Sequence, residues 1–158
     1  MWTQEQCERL AFEETKVKKY YSQFRVKNRT GNTYYVGSIR GNGYRNSYRL
    51  KAALLPKFPH KGIILSVESP RILPMHDGRR NLNDLGVSHA YHLNGTGEDG
   101  RVKICFCGSW KPSYSCVLAI WRGEIWTAAY EVHLITGATI AKTLNKWKKM
   151  LKHHPWIW

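Results

Sequence analysis

Acidic residues are scarce in this chain: 11 Asp+Glu stand against 25 Lys+Arg, for a formal net charge of +14. Such an imbalance favours anionic partners, whether nucleic acid, an acidic protein surface or anionic lipid, and charge alone does not choose among them. No apolar run approaches the ~20 residues that a membrane-spanning helix needs. The opening Met1-Trp2-Thr3-Gln4-Glu5-Gln6 has none of the basic-then-apolar pattern of a secretory signal. A cytoplasmic protein with no membrane partner is expected. Cysteine is also sparse: of Cys7, Cys105, Cys107 and Cys116, three crowd together late in the chain. A chain of this length does not need a disulfide scaffold, so reduced thiols are expected. Internal repeats and low-complexity tracts are absent.

What is present suits one packed α+β domain over residues 1–158. Apolar residues make up 42% and aromatics 13% of the 158 residues, and single cores commonly span roughly 100 to 200 residues. Thr3 followed by Gln6 is a capping-box pattern, and Cys7, Leu10, Ala11, Val17 and Tyr21 recur at near-helical spacing. A first helix is predicted to about Ser22. Gly31-Asn32 separates Phe24-Arg25-Val26 from Tyr34-Tyr35-Val36-Gly37-Ser38-Ile39, as in a hairpin. Tyr48, Leu50, Ala52 and Leu54 alternate with Arg49, Lys51 and Ala53, and Ile63-Ile64-Leu65-Ser66-Val67-Glu68 follows as a further strand. A four-stranded antiparallel meander is predicted. Residues 74–100, polar and rich in glycine and asparagine, read as mostly loop. Ile125 onward reads as a buried helix closed by Gly137. In the last helix, Ile140, Leu144, Trp147 and Leu151 share a face opposite Lys142, Lys146, Lys148, Lys149 and Lys152.

The chemistry-bearing stretch is Lys103-Ile104-Cys105-Phe106-Cys107-Gly108-Ser109-Trp110-Lys111-Pro112-Ser113. An apolar strand delivers a thiol to a glycine, tryptophan and proline loop, which makes Cys105 a candidate nucleophile; its bland counterpart is a small buried hydrophobe. Cys107 is the alternative nucleophile, on the same face if the strand persists. Cys116, at the start of the next helix, reads as core. Lys103, Arg101 and Lys111 flank Cys105 and could favour its thiolate.

The order helix, four strands, long loop, cysteine, Trp-x-Pro, helix resembles the ubiquitin-conjugating enzyme domain. Leu55-Pro56-Lys57-Phe58-Pro59-His60 and Val67-Glu68-Ser69-Pro70 resemble its proline-rich turn. His89, followed by Gly100-Arg101-Val102-Lys103-Ile104-Cys105-Phe106, is similar to its loop histidine and Gly-x-Ile-Cys-Leu segment, and Trp110-Lys111-Pro112-Ser113 to its Trp-Ser/Thr-Pro element. Ser88-His89-Ala90-Tyr91 and Tyr130-Glu131-Val132-His133-Leu134-Ile135-Thr136-Gly137 look like the bacterial members attached to cyclic-oligonucleotide (CBASS) antiphage defence operons. The resemblance covers residues 34–137. It departs where the asparagine of His-Pro-Asn has no counterpart and where the gap from His89 to Cys105 is longer.

The resemblance implies a ubiquitin-conjugating-enzyme-like fold with an N-terminal helix and C-terminal helices. It also implies a thioester transferase in which Cys105 carries the C-terminus of a cGAS-like nucleotidyltransferase to an acceptor amine such as a protein lysine. A separate activating enzyme would charge Cys105, unless the system dispenses with one. His89, Tyr91, Asn94 and the amides around Gly108 are candidate oxyanion donors, where one well-placed donor is worth ~3 to 4 kcal/mol. The alternative role of His89 and Tyr91 is to fix the loop. Trp110 would support the site, and Glu131 would orient the amine or else be an ordinary solvated or tyrosine-bonded glutamate. Neither a metal nor a cofactor is expected, although Cys105, Cys107 and Cys116 with His89 or His92 form the competing zinc arrangement; their spacing lacks the paired ligands of structural zinc sites. A basic RNA-binding module, drawing on Tyr34, Tyr35, Tyr44 and Tyr48 interleaved with Arg40, Arg45 and Arg49, is the competing function. A non-catalytic conjugating-fold scaffold is another.

Overall fold

The computed structural model describes residues 1–152. Helix α1 spans Gln4–Tyr20, and its first turn is closed reciprocally: Thr3 Oγ1 accepts from the Gln6 amide at 3.2 Å while Gln6 Oε1 accepts from the Thr3 amide at 3.0 Å. Strands β1 (Arg25–Lys27), β2 (Tyr34–Ile39), β3 (Tyr48–Leu54) and β4 (Ile63–Ser69) then form the predicted antiparallel meander. Side chains alternate as the period-two pattern requires, with Tyr48, Leu50, Ala52 and Leu54 inward.

Among the described residues the sheet has seven strands, not four. A hairpin of β5 (Val87–Ser88) and β6 (Leu93–Thr96) and the strand β7 (Val102–Ile104) extend it, in the order β1-β2-β3-β4-β7-β6-β5. Residues 74–100 therefore hold more structure than their composition signals. Main-chain groups of β7 pair with the free edge of β4, through Leu65↔Ile104 and Ser66↔Lys103, and β6 and then β5 add onto β7. They are too brief to show a hydrophobic alternation. Gly95 and Gly100 take positive φ values of 92° and 79°, which a side chain would resist: Gly95 sits within β6 where its register with β7 shifts, and Gly100 in the connection from β6 to β7.

Helix α2 (Cys116–Thr136) lies on the inner face of the sheet. Ser115 caps it and Gly137, at φ 76°, ends it by donating to the His133 carbonyl at 2.8 Å. An ideal Cβ at Gly123 would stand 2.8 Å from Leu50 Cδ1 and 3.0 Å from Leu65 Cδ2, so glycine lets the helix approach the sheet closely. Glu13 ties α1 to α2 from a fully buried position: it pairs with Arg9 at 2.8 Å and accepts the Cys116 amide at 2.9 Å, placing a carboxylate at the N-terminus of α2. Helix α3 (Ile140–Met150) buries Ile140 and Leu144, half-buries Trp147 and turns Lys142, Lys146 and Lys149 outward. Leu151 falls just beyond the helix and is 48% exposed. None of the described helices is long and apolar enough to cross a membrane.

Candidate functional site

Ile104, buried and paired with Leu65 and Leu93, is the last residue of β7, which makes Cys105 the first residue past the strand. Its side chain is half-buried. The Cys105 amide donates to the His92 carbonyl at 2.8 Å, and the thiol lies 3.7 Å from the Cys107 carbonyl as a donor. His92 has φ 49°, an uncommon conformation for a residue with a side chain. Its half-buried ring hydrogen-bonds the Cys105 backbone in return, and it feels the charges of Lys148 on α3 and of His89. Burial, then Lys148 and His89, hold the His92 pKa below the ordinary imidazole value, against the opposing bond to Cys105. The ring is thus biased to the neutral form, bonded to the Cys105 backbone.

Burial raises the Cys105 thiol pKa, with the Cys107 backbone acting the other way. The flanking cations do not reverse this. Arg101 is held by Glu68 at 2.7 Å and Asp99 at 3.1 Å, and Lys103 is carried on the sheet opposite Ser66. A cysteine in a thiolate–imidazolium pair would be shifted down instead. Because β7 stops at Ile104, Cys107 does not continue the strand's alternation. Cys107 is also half-buried and raised by burial, but Arg122 of α2 opposes that shift while its Nη1 donates to the Phe106 carbonyl at 3.0 Å. Cys116 is fully buried and hydrogen-bonds Glu13; its thiol is raised well above the usual range, by burial first. Cys7 is exposed on α1.

The remaining candidates scatter around this centre. His89 is exposed in the turn that leads to His92, and Asn94 is exposed on β6 opposite Val87. Tyr91 turns its ring to His133, 5.1 Å between centroids, and its carbonyl accepts from Trp126 Nε1 at 3.0 Å, which anchors the turn to α2. Trp110 donates to the Pro59 carbonyl at 2.7 Å and packs on Phe58, Phe106 and Tyr114, pinning the loop after Cys107 to the β3–β4 connection. Glu131 is buried on α2 and accepts from the Arg45 and Asn46 amides and from the Tyr48 hydroxyl, at 3.1, 3.2 and 2.5 Å. It thereby holds the β2–β3 connection. His92 emerges as a partner of the Cys105 backbone, Lys148 as a charge near His92, and Arg122 as a charge near Cys107; in the sequence His92 stood out only as a metal ligand and Lys148 only as part of a solvated lysine face.

Among the described residues no three His, Cys, Asp or Glu side chains converge as a metal site. Of the aromatics proposed for base stacking, Tyr35 and Tyr48 are 1% and 0% exposed and belong to the core, and Tyr34 lies under Lys51 Nζ at 4.4 Å. No family model, curated protein or solved structure matches the chain.

Proposed function

We propose that the protein is a conjugating enzyme of the ubiquitin-conjugating type, in which Cys105 carries a protein C-terminus as a thioester and passes it to an amine. The observation that carries this is the half-buried thiol just past β7, on a residue whose backbone amide is bonded to the His92 carbonyl and which is followed by the Trp110-pinned loop. Support comes also from the order of α1, the meander, the thiol and the two following helices, which is that of the domain this sequence resembles.

The raised thiol suits a carrier. A higher pKa makes sulfur intrinsically more nucleophilic once ionised and a poorer leaving group, so its thioester is less readily lost to water than that of an acidic thiol. In the charging step the Cys105 sulfur attacks an activated carbonyl, an acyl-adenylate or thioester furnished by a separate activating enzyme; the new C–S bond forms, the adenylate or thiol leaves, and the thiol proton passes to base. In the transfer step a lysine amine attacks the same carbonyl, the C–S bond breaks and Cys105 is reprotonated. The donor would be the C-terminus of a cGAS-like nucleotidyltransferase in cyclic-oligonucleotide antiphage signalling, acting in the cytoplasm, where thiols stay reduced.

The test replaces Cys105 by serine in cells co-expressing the products of the flanking genes and weighs the protein by mass spectrometry. An alkali-labile protein adduct, an oxyester, on Cys105→Ser, absent from Cys105→Ala, is the expected result. An adduct of equal yield on Cys105→Ala would move the chemistry to Cys107, and antiphage activity retained by Cys105→Ala would make the fold a scaffold.

A further inference from the structure

A groove of about 1000 Å³ runs along α3, from Ala90 past the end of α2 to Met150. Val132, Ala138 and Trp147 give it an apolar floor, and Lys142, Lys146 and Lys149 stand along it without an acidic residue in the lining. These lysines are exposed and take part in no ion pair among the described residues. Nor is the charge cancelled nearby in the chain: residues 132–158 contain Lys142, Lys146, Lys148, Lys149 and Lys152 and no Asp or Glu. A low-dielectric floor beside uncompensated cations focuses an attractive field on anions. The volume reaches the upper limit of small-molecule sites, roughly 300–1000 Å³, and fits a polymer segment better than a metabolite.

We infer that this groove binds an extended peptide segment in which acidic side chains alternate with apolar ones. The spacing supports that partner. Lys142 and Lys146 are one helical turn apart, about 6 Å along the axis, and Lys149 is about 10.5 Å from Lys142. Same-side residues of an extended chain recur every ~6.7 Å, so carboxylates on one side meet the lysines while the side chains between them fall on the floor. Single-stranded nucleic acid needs successive aromatic platforms, and this lining contains one aromatic, Trp147.

The Ala90 end of the groove lies two residues from His92, the backbone partner of Cys105. The Ala141 amide donates to the Ala90 carbonyl at 2.9 Å, and two residues on, His92 accepts from Cys105 at 2.8 Å. A segment lying along α3 would thus direct its end to Cys105, as the residues preceding the acyl donor's C-terminus must. That identity rests on Cys105 being the acyl carrier; the binding does not.

The probe is a fluorescein-labelled peptide of alternating Glu and Leu, followed by fluorescence anisotropy. Binding should weaken as NaCl shortens the screening length, which is about 10 Å at 0.1 M. It should weaken about tenfold or more in Lys142→Glu/Lys146→Glu/Lys149→Glu and several-fold in the milder Gln set, with far-UV circular dichroism unchanged in both. Reversal of Lys16, Lys18 and Lys19 on α1 should have little effect. Equal loss from the α1 set, no binding by the parent, or tighter binding of a uridine oligonucleotide of the same length through the same lysines would overturn the inference. Peptide binding without a Cys105→Ser adduct leaves the groove in place and removes the acyl-carrier role; an adduct without peptide binding does the reverse.

Discussion

Replacing Glu131 separates a structural carboxylate from a chemical one. One oxygen accepts from the Asn46 amide and the Tyr48 hydroxyl, and the other from the Arg45 amide. In Glu131→Ala all three donors lose their partner. The Tyr48 side chain is fully buried, so its hydroxyl bears the full desolvation penalty of about 1–3 kcal/mol, whereas water can reach the two loop amides and each forfeits a net ~0.5–1.5 kcal/mol. The sum is about 2–6 kcal/mol, centred on ~4, a large share of a stability that is typically ~5–15 kcal/mol. At ~2–4 °C per kcal/mol for a domain of this size, the melting temperature should fall by about 10 °C. Glu131→Gln keeps one acceptor oxygen but sets an NH2 group against a backbone N–H, so it should lose less, about 2 kcal/mol. Urea denaturation followed by circular dichroism measures these differences, and the Tyr48→Phe double-mutant cycle should show coupling of about 1–2 kcal/mol. Well below its melting point, Glu131→Ala should still form the Cys105 adduct. A variant that melts within ~2 °C of the parent yet forms no adduct would refute the structural role and place Glu131 in the chemistry.

The His133 ring is satisfied only when neutral: Nε2 accepts from the His76 amide at 3.1 Å while Nδ1 faces the Ala138 carbonyl at 2.9 Å. Burial lowers its pKa, as it does for His92. The unfolded chain therefore takes up protons first, and the urea midpoint should decline as pH falls below about 6.5 until the native groups titrate; a midpoint that rises over pH 7 to 5.5 contradicts this sign. Timed iodoacetamide labelling with peptide mass mapping should find Cys7 modified first, Cys105 and Cys107 slowly at neutral pH and faster in alkali, and Cys116 only on unfolding. Early modification of Cys116 would place it at the surface. A Cβ at Gly37 would approach the Phe24 backbone Cα to 2.8 Å, so Gly37→Ala should cost about 3 kcal/mol by overpacking; an unchanged denaturation midpoint would show that β2 and Phe24 separate freely.

Helix α1, the meander and the cysteine after an apolar strand were all legible because each has a local signature: Thr3 and Gln6 at capping spacing, alternation through residues 48–54, and the Ile104-Cys105 junction. The hairpin of β5 and β6 was not, since its pairs form between main-chain groups and its side chains carry little periodicity. Glu131 was assignable to a helix but not to a partner, because Arg45, Asn46 and Tyr48 lie more than eighty positions away.

Local order therefore determined which segments became helix or principal strand, the excess of cations and the supply of thiols, for these depend on residues close together in the chain. Folding decided that the Cys105 backbone pairs with His92, that Lys148 comes near His92, that Cys116 is sealed against Glu13, and that three lysines border one groove. Those are outcomes of packing between distant elements, where burial and proximity set the chemistry of a group whose identity alone leaves it open.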